Sequence, residues 1–504
     1  MVATAIRRVR AKGEEALRSS SLVETTQTVL SSASGLHSSG GGIFQSTTIW
    51  PAAPAISAMS PSPETYSPQT PVARTAGYKR PLRVAIFLYR FPVPSETFVD
   101  KQIAGLVQRG LTVDVVCRAK EPGAAEVTQA LGIRNLRCAP PLPGRIIPRL
   151  LGGIRLLFDM ARQRPSLLIR LVRGFKGMSR AEALRCLHGG MPLLGNRYDV
   201  IHCHFGPAGL HAAKLRQLGA TEARITTVFH GWDVSQAIDK RGESFYDPLF
   251  RIGDLLLPVS EHWRQRLIEL GANPQRTRVH HMGVAMPPTR PQKTPSTGTV
   301  RLLSVCRLVE KKGLAFAIRA LASRRSETVG WKYHIIGDGP ELERLQQLAF
   351  ELGCDNRVVF AGWGSPETVE AALQEADIFL APSITAQNGD QEGIPVGVME
   401  AMAHGLPVVS TYHTGIPELV SHGQTGLLAE EGNVEQLAQH LQTLLQDPEL
   451  RQKMGTAGYE RVASEYEIEG LNDELVNWFH ELADAPQKAE NPGHFAFCPK
   501  SHEA

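Results

Sequence analysis

Two consecutive α/β domains, each built on a mostly parallel sheet, are predicted by three features of the sequence. The chain has 504 residues, too long for one ordinary hydrophobic core. Short apolar runs, each followed by a polar loop or a helical pattern, recur in two series. A Pro/Thr-rich stretch without periodicity, 286–299, separates the two series and reads as an interdomain linker.

The first series begins at 83–89 and runs on through the loop 90–95 and a helical pattern reaching Gly110. It continues with strand-like runs at 113–117, 199–204, 224–229 and 255–259. The second restarts at 300–305 and repeats at 332–336, 357–360, 378–381 and 407–410, the rhythm of another Rossmann-like sheet. Amphipathic patterns follow at 433–446, 448–466 and 469–482, the last placed to cross back onto the first domain. The expected organisation is a Ser/Pro-rich disordered leader (1–80), a first domain (81–286), the linker (287–299), a second domain (300–468), a cross-back helix (469–484) and a polar tail (485–504).

Composition narrows the class. Apolar residues make up 42% and charged residues 21%, the balance of a soluble globular protein, and a net charge of +4 excludes a polycation built for nucleic acid. The seven cysteines, at 117, 138, 186, 203, 306, 354 and 498, lack zinc or redox spacing and read as reduced cytoplasmic thiols. No stretch reaches the roughly 18 apolar residues of a membrane-spanning helix. Arg7, Arg8 and Arg10 have no apolar run behind them, which argues against a secretory signal; a transit peptide stays open, although the leader carries Glu14, Glu15 and Glu24.

The segment from Glu392 to Glu400, Glu-Gly-Ile-Pro-Val-Gly-Val-Met-Glu, carries the strongest chemical signal. Pro395 suits a first helical turn, which puts Glu392 in the loop at the helix mouth and Glu400 inside the helix. Free N–H groups and the macrodipole at such a mouth attract phosphate. Arg307 and Lys312 follow the first strand of the second domain, where Rossmann-like folds place ligands, and fixed cations there would stabilise a departing phosphate. Gly337-Asp-Gly-Pro340 ends another strand, its glycines allowing close backbone approach.

These residues resemble the E-x7-E signature of the retaining glycosyltransferases of family 4, which have the GT-B fold: two facing Rossmann-like domains with a cleft between them. The resemblance implies that Glu400 accepts hydrogen bonds from the donor ribose, that Glu392 lies by the reacting sugar carbon, and that Arg307 and Lys312 hold the diphosphate. Gly337, Gly339, Gly393, Ile394 and Pro395 fall on the donor side. Phe229-His-Gly-Trp-Asp233 resembles the family's HGxD element, making His230 a catalytic candidate, with Asp233 able to orient it. Phe91-Pro-Val-Pro-Ser-Glu-Thr-Phe98 resembles the FPxxSETF segment of exopolysaccharide glycosyltransferases such as those of colanic acid synthesis. Ser95, Glu96 and Thr97 thereby become acceptor-side candidates, a role compatible with Ser95 capping a helix. His202-Cys-His204 lacks a second ligand pair, so a metal reading is set aside and His204 joins the loop lining the cleft.

The resemblance implies a nucleoside-diphosphate sugar as donor, no cofactor, no required metal, and a glycan or lipid-linked acceptor. Between residues 141 and 190, ten Lys/Arg against Asp159 and Glu182 are interleaved with apolar residues. That pattern fits either peripheral contact with an anionic inner membrane or a helical insertion packed on the first domain. A nucleotide-sugar epimerase and a catalytically silent sugar-binding protein of the same fold stay open as alternatives.

Overall fold

The computed structural model describes residues 80–139, 178–194, 196–292, 298–323 and 329–486, with isolated positions between 154 and 169. The leader, nearly all of the tail, part of the linker and most of the basic segment 141–190 lie outside the described residues.

Twelve strands form two parallel sheets of six. The first contains β1 (Arg83–Phe91), β2 (Thr112–Lys120), β3 (Asn135–Cys138), β4 (Val200–His204), β5 (Arg224–Phe229) and β6 (Leu255–Pro258), in the order β3-β2-β1-β4-β5-β6. The second contains β7 (Val300–Val305), β8 (Trp331–Ile336), β9 (Val358–Gly362), β10 (Ile378–Ala381), β11 (Val408–Thr411) and β12 (Gly426–Ala429), in the order β12-β11-β10-β7-β8-β9. Both sheets therefore have the same doubly wound topology, reversing direction between their first and fourth strands. Such a reversal opens a crevice beyond the carboxyl ends of the strands, between β1 and β4 in one sheet and between β7 and β10 in the other.

Helices cover both faces of the central strands, so even the polar residues His202, His204, Thr226 and Thr227 are buried there. β4 and β5 are buried at every position, as are Val84, Ile86, Val115 and Val200 around them. Each fully buried Val, Leu or Ile contributes about 1.5–3 kcal/mol of transfer free energy. β3 and β12 were not anticipated from the sequence. Both are only four residues long: β3 (Asn-Leu-Arg-Cys) is half-buried and mixes polar with apolar residues, and β12 (Gly-Leu-Leu-Ala), though buried, is too short and Gly-led to stand out as a strand.

Four helices bear on the crevices: α1 (Thr97–Gln108), α2 (Glu261–Glu269), α3 (Val396–Ala403) and α4 (Ile468–Asp484). α4 returns from the second domain and packs on α1. Gly105 makes room for it, since a Cβ there would lie 2.0 Å from Asn472 Nδ2. Arg109 then bonds Asp473 at 2.6 Å and Glu469 at 2.9 Å, and Phe479 rests on the His202 ring. The two chain crossings pair with each other: Val284 N–H donates to Tyr466 O and Ile468 N–H donates to Val284 O.

The local geometry corrects two expectations. Pro395 is not in the first helical turn; it is the extended residue before Val396, with ψ 119°. Its fixed φ suits that N-cap position as well as a helical one, so Glu392 still stands in the loop ahead of α3. Ser95 does not cap α1. Glu96 occupies the N-cap position, and no side chain closes that end.

Candidate functional site

The loops leaving the two crevices meet. A Cβ on Gly231 would lie 2.7 Å from Gly393 N, and one on Gly393 would lie 2.3 Å from His230 O. Only glycine at both positions allows the His-Gly loop after β5 to touch the Glu-Gly loop after β10, and Gly231 also holds φ 125°, which other residues rarely adopt. Trp263 on α2 donates its indole N–H to the Glu392 carbonyl at 3.1 Å. Glu418 of the second domain accepts the free Glu261 and His262 N–H groups at the start of α2, at 2.7 and 2.8 Å.

Glu392 is 7% exposed and sits between two lysines. Lys312 Nζ lies 3.0 Å from one carboxylate oxygen and Lys311 Nζ lies 3.5 Å from the other. Burial alone would raise the Glu392 pKa; Lys312 and then Lys311 overcome it and bring the carboxyl down to about 2. The Glu392 N–H donates to His413 Nε2, and His413 Nδ1 bonds Glu431, which fixes that ring. Lys311 also binds Asp390 at 3.0 Å and the Gln391 carbonyl at 3.1 Å. Reading the sequence picked out the lysine before Gly313 and passed over its buried neighbour. The Lys-Lys doublet was the only available signal.

Arg307 stands exposed at the end of β7, on a loop braced by the Gly337–Gly339 turn. Cβ atoms on these glycines would fall 1.8 Å from Cys306 O and 2.4 Å from Leu308 O. The close approach they permit is thus to the backbone on either side of Arg307. Gly313 plays the same part for the lysines, since its Cβ would meet Pro382 O at 1.8 Å.

Across the crevice α1 contributes charge. Lys101 Nζ pairs with Glu400 Oε1 at 3.1 Å, a contact joining the two domains. Glu96 is half-buried, and burial pushes it up to about 7 against the pull of Arg307. Asp100, one turn along, is also raised to about 7 by burial and by Glu96. Ser95 and Thr97 are exposed beside them. Neither Asp100 nor Lys101 was singled out from the sequence, because their importance lies in what faces α1.

The histidines differ from expectation. Asp233 is fully buried and does not touch the His230 ring. Its carboxylate accepts the backbone N–H groups of His230, Gly231 and Gly206 at 2.8–2.9 Å, and burial raises its pKa to about 6. It shapes the loop, with its carboxylate given to backbone N–H groups. His204 is 1% exposed and lies beneath His230, so it does not line the cleft; its Nδ1 is 3.3 Å from His230 Nε2. His202 spends both ring nitrogens on Thr226 and Gln102. Burial pushes His204 down to about 3 and holds His230 well below the usual histidine range.

A cleft of about 730 Å³ opens on the other side of the 385–391 loop, with Ser235, Asp239, His262, Gln265, Thr385 and Gln391 in its wall. Arg307, Lys312 and Glu400 are not part of that wall. The cleft adjoins the charged cluster: Gln391 precedes Glu392, and Trp263, also in the wall, donates to the Glu392 carbonyl.

Two family models match the chain: glycosyl transferases group 1 over residues 287–461 and a glycosyl transferase 4-like domain over residues 95–283. WcaL of Escherichia coli strain K12, described as a colanic acid biosynthesis glycosyltransferase, is 36% identical over 412 residues, which is 80% of this chain and all of that protein. The amylovoran biosynthesis glycosyltransferase AmsK of Erwinia amylovora is 34% identical over 378 residues, 72% of this chain and 91% of its own length. Among solved structures, Anabaena HepE in complex with UDP-glucose aligns with a TM-score of 0.59 at 18% identity, covering 79% of this chain and all of that one, which is a likeness of fold. Two six-stranded parallel sheets facing across a crevice, with relatives matched over most of the chain, establish that this protein is a glycosyltransferase of the group 1 family with the GT-B fold.

Proposed function

We propose that the chain is a retaining glycosyltransferase that moves a sugar from a nucleoside diphosphate to a hydroxyl of a growing exopolysaccharide or other glycan. The observation carrying this reading is the buried Lys311–Glu392–Lys312 cluster, set at the mouth of α3 and touching the His230 loop. The names of WcaL and AmsK support the exopolysaccharide setting, and the UDP-glucose bound by HepE supports the donor class.

In this reading the diphosphate lies against the free N–H groups of α3, with Arg307 gripping it by two donors. Lys312, the more exposed of the two lysines, turns from Glu392 to the phosphate while Lys311 stays behind to balance the carboxylate. The bond between the sugar's anomeric carbon and the phosphate oxygen breaks, and its electron pair goes to the diphosphate. The acceptor oxygen bonds to the same face of that carbon, and its proton passes to the departing phosphate. At rest two ammonium groups hold the Glu392 carboxyl down at about 2, and with Lys312 turned to the phosphate the Lys311 ammonium, 3.5 Å away, still keeps it ionised. Glu392 therefore steadies positive charge on the sugar, while Glu400, once released from Lys101, accepts the ribose hydroxyls. Domain closure excludes water and favours transfer over hydrolysis. The reaction takes place on the cytoplasmic side, and the basic segment 141–190 meets an anionic membrane carrying a lipid-linked acceptor; Ile154, Phe158 and Ile169 within it are exposed. No described helix is long and apolar enough to cross a membrane.

The deciding experiment is a screen of UDP-, GDP-, ADP- and TDP-sugars against the purified chain, measuring slow sugar release and thermal stabilisation. A donor at 100 times its Kd should stabilise by about 2.7 kcal/mol. If none of them stabilises the protein or is hydrolysed, the donor assignment is wrong. Flotation with phosphatidylglycerol vesicles tests the membrane contact, which fails if the protein stays with the soluble fraction.

A further inference from the structure

Beside His204 lies a cavity of about 20 Å³, enough for one water molecule. Phe98, Gln102, His204, His280 and Asn472 are among its walls. Three buried polar atoms of those wall residues have no hydrogen-bond partner: His204 Nε2, His280 Nδ1 and Asn472 Nδ2. An orphaned buried donor or acceptor is costly, so three of them on one water-sized cavity mark a hydrated site.

We infer that His204 is a positioning residue for His230, acting through a single buried water that it shares with Asn472; the inference rests on the assignment of His230 to the sugar-transfer site. Both rings are neutral, so each carries one N–H. The contact between His204 Nδ1 and His230 Nε2, at 3.3 Å with the rings 20° from parallel, requires one of those two nitrogens to donate and the other to accept. The Asn472 amide can only donate from Nδ2, which takes one acceptor site of the water and leaves both of its hydrogens to give; the inferred direction of the chain uses one of them. Asn472 donates to the water, the water donates to His204 Nε2, and His204 Nδ1–H donates to His230 Nε2. His230 is left with its proton on Nδ1, a hydrogen-bond donor suited to a sugar hydroxyl oxygen. Asn472 belongs to α4, and Met282, Gly283 and Ile468, where the chain crosses between domains, line the same cavity. The relay thus ties the ring to the segments where the chain crosses between the domains.

The test is made on full-length enzyme labelled with 15N-histidine. In the wild type, ring nitrogen shifts should show His230 protonated on Nδ1, and Asn472→Leu should mix its tautomers. His204→Phe should lower kcat at least tenfold with donor KM changed less than threefold, and His204→Asn, which keeps an N–H near the Nδ1 position, should recover most of the loss. An unchanged His230 signal in Asn472→Leu overturns the relay, and an unchanged kcat in His204→Phe overturns the positioning role. If the wild type transfers no sugar at all, it is the sugar-transfer reading that fails; the tautomer measurement, which needs no turnover, still decides the relay.

Discussion

On the second domain's side of the crevice Lys311 and Glu392 are buried as ions, whereas on the first domain's side the buried His202 and His204 and the half-buried His230 are neutral rings. Burial raises the free energy of any charge. A carboxylate with two ammonium partners can keep its charge, and an imidazole surrounded by other imidazoles loses its proton instead. The two sides are thereby suited to different tasks: fixed charge for a departing phosphate, and directional hydrogen bonds for an uncharged sugar.

The comparison fails first, and by the largest amount, at the cations. Arg307→Ala and Lys312→Ala should each lower turnover by hundreds-fold or more, about 3–4 kcal/mol in the barrier, because each supplies charge where negative charge develops. Steady-state kinetics near the wild-type rate in both variants would remove the phosphate-binding assignment. Lys311→Met should be the more damaging to the fold, since it leaves Asp390 and Glu392 with one cation fewer. A loss of about 1–3 kcal/mol is expected in urea unfolding, and adding Glu392→Gln should restore part of it.

A smaller effect separates the charges by pH. Glu96 and Asp100 have folded pKa values of about 7, above the roughly 4 of unfolded carboxyls. Between those values the native state keeps protons that the unfolded chain has released, so their contribution to stability is full below pH ~4 and is lost as pH rises towards 7. Glu392, at about 2, behaves in the opposite sense: its contribution is full above pH ~4.5 and is lost as pH falls towards 2. The double variant Glu96→Gln/Asp100→Asn should flatten the fall in Tm between pH 5 and 7 by a few degrees and leave the acid limb alone, as calorimetry across that range would show. The smallest effect belongs to Lys101→Met. By freeing Glu400 it should change donor KM by a few-fold with kcat nearly unchanged; an unaltered KM would mean that the pair does not compete with the donor.

Much of the site was legible because its signals are local. The 392–400 segment, the 307–313 loop and the 230–233 loop each follow a strand end, and the chemistry of a strand end in a doubly wound sheet can be read from a few consecutive residues. Roles that depend on a distant partner were misread or missed. Asp233 was matched to its neighbour His230, yet its carboxylate serves three backbone N–H groups, one of them from Gly206. His204 was set in the cleft by its place at a strand end, and only packing against Phe98 and His230 shows it to be covered. Asp100 and Lys101 looked like ordinary polar residues of an amphipathic helix.

By itself the sequence determined the two α/β domains, the helix that crosses back, and the loops carrying the reactive groups, because hydrophobic period, turn residues and strand-end motifs are properties of short segments. Only the tertiary structure decided which charges are paired, which rings are neutral, and that Gly231 and Gly393 touch. Those outcomes depend on burial and on distances between residues that lie tens to hundreds of positions apart, and no short segment contains them.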